Sequence, residues 1–164
     1  MSEYHPNQSR CRRNFVYNAL SVTVLCCPSI SAANDQPLGI IQKMYKDYLT
    51  NNSENAINSK KNRSKYFVSA LVRLYAADDE RACVAGIEAS GQEINVAQIR
   101  KTLSIAQTSN DGVHAEVVSR VRNSGPLESF RYEFLKQGNT WKISDVVYPN
   151  GDRLSHTDCS SASR

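Results

Sequence analysis

The stretch Ile99 to Tyr148 runs IRKTLSIAQTSNDGVHAEVVSRVRNSGPLESFRYEFLKQGNTWKISDVVY, four alternating segments separated by three turn signals. In the first segment Ile99, Leu103 and Ile105 share one phase and Arg100, Thr102 and Ser104 the other, the pattern of a strand with one buried face. Ser109-Asn110-Asp111-Gly112 is a hairpin turn, because Asp-Gly accepts the positive φ that tight hairpins need. The second segment sets Val113, Ala115, Val117 and Val121 against His114, Glu116, Arg120 and Arg122. After Asn123-Ser124-Gly125-Pro126, the third opposes Phe130, Tyr132 and Phe134 to Glu128, Arg131 and Glu133. Gly138-Asn139 turns again, and the fourth places Trp141, Ile143 and Val147 on one phase with Asp145 among them. The pattern predicts an antiparallel meander of about four strands.

Upstream, the apolar period changes to that of helices. Asn34-Asp35-Gln36-Pro37 is a helix start, with Asp35 able to cap and Pro37 tolerated in the first turn. Leu38, Ile41, Met44, Tyr45, Tyr48 and Leu49 then make one apolar stripe. A polar stretch to Arg63 follows, and its Lys60, Lys61 and Arg63 are expected to be solvated, with an anionic surface as the alternative. Ser64 is placed to cap a second helix, from Lys65 to about Asp79, with Phe67, Val68, Leu71, Leu74 and Tyr75 on its buried side. Asp78-Asp79-Glu80 at that helix end opposes the macrodipole; it is expected to be a hydrated terminus, with a metal or cationic partner as the alternative. Cys83 to Val96 lacks periodicity and is expected to be loop with an edge strand. Helices followed by a sheet give an α+β class, with both stripes packed on one face of a curved, mostly antiparallel sheet.

Residues 1–33 have the parts of a secretory signal peptide: a basic region ending Arg12-Arg13, an apolar run from Phe15 to Cys27, and Ser31-Ala32-Ala33 as the cleavage region. A buried helix is the alternative, and the paired arginines also resemble a twin-arginine export signal. The run is too short for a transmembrane helix, so no membrane anchor is expected after cleavage. Cleavage leaves 34–164 as a single domain with a flexible tail, periplasmic or secreted. It also removes Cys11, Cys26 and Cys27, leaving Cys83 and Cys159, which are expected to form a disulfide, with two free thiols as the alternative. Neither belongs to a CxxC, so no metal or cofactor is expected. The segment 1–33 carries half of the formal +4 charge, and the remaining charges are interspersed. Without a basic stripe, nucleic acid is not an expected partner.

Three stretches carry a family likeness: Met44-Tyr45-Lys46-Asp47-Tyr48-Leu49, Tyr66-Phe67-Val68-Ser69 and Trp141-Lys142-Ile143-Ser144-Asp145-Val146. Over residues 37–154 the chain resembles the nuclear transport factor two-like (cystatin-like) superfamily, in its branch of exported bacterial domains of unknown function. The resemblance implies a cone with a pocket at its open end, a scaffold that hosts enzymes, ligand binders and immunity proteins. Tyr45, Tyr48, Tyr132, Trp141 and Asp145 are the expected pocket residues, and Asp145 is the candidate acid or base, because it shares phase with Trp141 and Ile143. His114 lies on a polar phase, and no nucleophile motif or phosphate loop is present. The expected function is therefore non-catalytic binding of a protein or small molecule in the cell envelope, as an inhibitor, immunity or envelope-interaction protein. The alternative is a small-molecule hydrolase or isomerase working through an acid or base in the cone pocket.

Overall fold

Four strands, β1 (Ser104–Asn110), β2 (His114–Val121), β3 (Glu128–Gln137) and β4 (Thr140–Val147), form one unclosed antiparallel sheet in sequence order. They come from a computed structural model that describes residues 35–90 and 93–160. The proposed signal segment 1–33 and the last residues of the Ser-rich tail lie outside the described residues. Alternation predicts the faces of β2 and β3: Ala115, Val117, Ser119 and Val121, with Phe130, Tyr132 and Phe134, are buried on one side. At the β1–β2 turn Gly112 takes a φ of 91°, and Asp111 accepts the N–H groups of Val113 and His114.

Helix α1 (Pro37–Leu49) follows its apolar stripe and packs across β1 and β2. Its N-cap is Gln36, and Asp35 lies 3.2 Å from Lys65 instead of capping. The expected helix from Lys65 to Asp79 is divided into α2 (Arg63–Tyr66) and α3 (Ser69–Arg81). Between them Phe67 is extended and bridges Ile143, while the Val68 N–H donates to the Ile143 carbonyl at 3.1 Å. An apolar stripe does not reveal this break, because Phe67 is fully buried although extended; it meets Tyr75 edge-on with centroids 5.0 Å apart. The break also covers the β4 edge, whose backbone groups would otherwise be unpaired.

A second correction concerns Ile99, predicted to begin the first strand. It lies fully buried in helix α4 (Val96–Thr102), where the Asn95 side chain caps the Gln98 N–H at 3.0 Å. Ile99 and Leu103 are four residues apart, a spacing that serves a helix face as well as a strand phase.

The acidic residues at the end of α3 have structural partners. Asp79 receives both terminal nitrogens of the buried Arg63 at 3.0 Å each, with Lys60 at 3.6 Å, and Asp78 accepts the Val84 N–H at 2.7 Å. Arg63 is thus held in the fold and not solvated as expected. Cys83 and Cys159 form the predicted disulfide, Cα atoms 5.5 Å apart. It fastens the segment after β4, where Leu154 is fully buried and Arg81 donates to the Cys159 carbonyl.

The bridge joins residues 76 positions apart, so loss of loop-closure entropy in the unfolded chain sets an upper gain of about 4 kcal/mol. Reduction is expected to lower the urea midpoint of the full chain without abolishing its secondary structure. Mass measurement after alkylation should find Cys83 and Cys159 labelled only when reductant is added.

Candidate functional site

Residues Cys83–Ser90 and Glu93–Asn95 form neither helix nor strand, yet Ile87, Glu88 and Ala89 are buried. A buried segment without a ladder must find other partners for its backbone polar groups, and here side chains supply them. The Tyr132 hydroxyl donates to the Ile87 carbonyl at 2.7 Å, and the Tyr45 hydroxyl to the Glu88 carbonyl at 2.7 Å. With both phenol protons committed, the Ser119 hydroxyl donates to the Tyr45 oxygen at 2.8 Å, and the two phenol oxygens stand 3.2 Å apart. Burial pushes both phenols above their ordinary range. Further along, the buried Asn123 donates to the carbonyls of Ser90 and Glu93 at 2.9 and 2.7 Å and accepts the Asn95 N–H at 2.7 Å. Tyr148 donates to the Ala85 carbonyl at 3.1 Å. The segment is therefore a strap pinned to the sheet from its carbonyl side.

The strap forms one wall of a cleft. A hollow of about 550 Å³ opens between the end of α1 and the strap, with Met44, Tyr48, Leu49, Glu88, Ile94 and Val96 in its lining. A neighbouring hollow of about 380 Å³ shares Tyr48, Glu88 and Ile94 and adds Tyr148. Glu88 is 9% exposed. Burial raises its pKa above the ordinary 4.5, while the N–H groups of Glu88 and Ile87 act in the opposite direction. Burial and then the Glu88 charge push the Tyr48 phenol to about 12, so it stays protonated near neutrality. Glu88 was missed in the sequence because its segment has no period; the available signal was a carboxylate between Ile87 and Ala89.

Of the five residues expected in a pocket, Tyr45 and Tyr132 meet, but as buried donors to the strap. Trp141 is 4% exposed, with the Lys136 ammonium 5.7 Å from its ring, and Tyr48 lines the cleft. Asp145 stands apart from them. Ser144 is an extra residue in the β3–β4 register, so Ile143 pairs with Phe134 while Asp145 pairs with Glu133 on the opposite face. There Asp145 accepts Arg153 at 2.6 Å, the Ser155 hydroxyl at 2.8 Å and the Ser155 N–H at 3.0 Å. The shared phase with Trp141, which suggested a pocket acid, thus ends at the bulge.

A larger open hollow of about 750 Å³ lies beside the disulfide, with Arg153 and His156 in its wall. Its Arg153 is already engaged by Asp145 and Glu133. Among the described residues no three His, Cys, Asp or Glu side chains gather where a metal could sit. No family model, curated protein or solved structure matches the chain.

Two outcomes follow. Tyr132→Phe leaves the Ile87 carbonyl buried without its donor; it is expected to cost roughly 1–3 kcal/mol in urea unfolding and to speed amide exchange around Ile87 to Ala89. For Asp145, burial raises the pKa, but the Ser155, Val146 and Arg153 bonds outweigh it and hold the carboxyl below the ordinary 3.8. A folded value below the unfolded one stabilises fully above the unfolded pKa and is lost as pH falls through the folded pKa. Asp145→Asn is therefore expected to cost about 2 kcal/mol near neutrality. The difference from wild type should shrink progressively when urea midpoints are measured below about pH 4.

Proposed function

We propose that this chain is an exported, non-catalytic binding protein of the cell envelope, built on a cone-shaped nuclear transport factor two-like scaffold, that takes its ligand in the Tyr48–Glu88 cleft. The observation that carries this reading is how the interior and the cleft divide the side chains. Tyr45, Phe67, Phe130, Tyr132, Phe134 and Trp141 fill the space between sheet and helices, each at most 4% exposed. That packing leaves no chamber in the interior, and Asp145, the acid that the enzyme alternative rests on, is engaged by Arg153 and Ser155 on the other face of the sheet. On the outer sheet face Glu116, Arg131, Glu133 and Arg153 are paired among themselves, with Arg131 3.5 Å from Glu116 and Arg153 2.6 Å from Glu133. The cleft, in contrast, combines apolar walls with a few polar groups, the usual make-up of a small-molecule site.

Titrating a library of small amphipathic molecules into the isotope-labelled full chain tests this. Shifts are expected to cluster at residues 44–58 and 87–96, with every added molecule recovered unchanged. Product signals that disappear in Glu88→Gln would move the protein to the enzyme class. Shifts confined to Glu116, Arg131 and Glu133 would make the outer face the binding surface.

A further inference from the structure

Glu88 is the buried group in the cleft that the fold leaves without a counter-charge. Among the described residues it has no cationic partner, and its polar support comes from the N–H groups of Ile87 and its own residue. The other acid in the lining, Asp47, is already neutralised by Lys43 and also receives the Asn52 amide. No Lys, Arg or His among the described residues lines either hollow, in a chain whose formal charge is +4. The local field is therefore opposite in sign to the whole protein. The rest of the lining mixes neutral polar side chains, Asn51, Asn52, Ser53 and Asn58 among them, with the apolar and aromatic Met44, Tyr48, Leu49 and Tyr148, and Ile94 and Val96 stand 44% and 36% exposed.

We infer that the cleft selects a small organic cation, a primary ammonium on an apolar tail, with the ammonium against the Glu88 carboxylate and the tail along Met44, Ile94 and Val96. This rests on the cleft being the ligand site. Charge complementarity decides the class. An anion would face Glu88 with no cation in the lining to offset it, and a neutral molecule would bring it no counter-charge, whereas an ammonium supplies both the counter-charge and N–H donors. The tail covers Ile94 and Val96, two apolar side chains that otherwise stand in water. A bare divalent ion does not fit, since it needs six or more oxygens and Glu88 is the one carboxylate free to serve.

The test uses three eight-carbon probes on the full chain, n-octylammonium, 1-octanol and octanoate, followed by amide and methyl shifts. Octylammonium is expected to saturate with shifts at Met44 and Ile94 and to bind at least about tenfold tighter than octanol, the discrimination of one charge-assisted contact. Octanoate should give no shifts there. Glu88→Gln is expected to bring octylammonium down to the octanol level while octanol is unchanged. If that variant fails to fold, the ammonium-over-alcohol preference of the wild type decides. Equal binding of octanol or octanoate, full affinity in Glu88→Gln, or silence from octylammonium overturns the cation assignment. The binding reading survives those results if another molecule still shifts residues 44–58 and 87–96, and falls with them if none does.

Discussion

Burying a segment that has no ladder of its own is the constraint around which this molecule is arranged. The strap, residues 83–90 and 93–95, presents carbonyls to side chains of the surrounding elements, and each buried one left unpaired would cost on the order of 1–3 kcal/mol. Side chains from separate elements answer it: Tyr45 from α1, Tyr132 from β3, Asn123 from the turn after β2 and Tyr148 from the end of β4. These residues are distant in sequence, so the strap can take its course only once α1 and the sheet have assembled. The disulfide at Cys83 and the Asp78 bond to the Val84 N–H fix its first residues in the same way.

Much of the sheet was legible because period-two alternation reports burial directly. The inward sets Ala115–Val121 and Phe130–Phe134 could be assigned from pattern alone, and the turns at Gly112 and Gly138 carry residues suited to positive φ. What failed to show were the places where tertiary contacts override a local pattern. Phe67 and Val68 continue a helical stripe but extend to pair with Ile143. Ile99 and Leu103 fit a strand phase and a helix face alike, and the Asn95 cap begins a helix there. Ser144 inserts one residue into β4, and every phase assignment after it reverses.

That single insertion also divides the acids by role. Carried to the outer face, Asp145 joins Arg153, Glu133 and Ser155, a mixed set in which a carboxylate stays ionised because N–H and O–H groups surround it. Arg63 and Asp79 do the same at the end of α3, where three acids in a row looked misplaced against the helix dipole. Both clusters are internal settlements of charge, with arginine chosen for its two parallel donors. Glu88 has no such settlement.

The contrast follows from geometry. A strap pinned through its carbonyls has its side chains left over, and those of Glu88 and Ile94 line the cleft. Gly86 lies close against this stretch: a Cβ at that position would stand 3.3 Å from the Ala89 carbonyl oxygen, tighter than most such contacts. An apolar residue of similar volume at position 88 would keep the bonds made to the carbonyls of the strap and spare the desolvation of a carboxylate, so those bonds do not account for the glutamate. A buried acid that the fold leaves without a counter-charge is met either by a proton or by a cation brought from outside. The strap that solves the backbone problem is thus also what sets an unpaired acid in a hollow that Tyr48 and Tyr148 help to line.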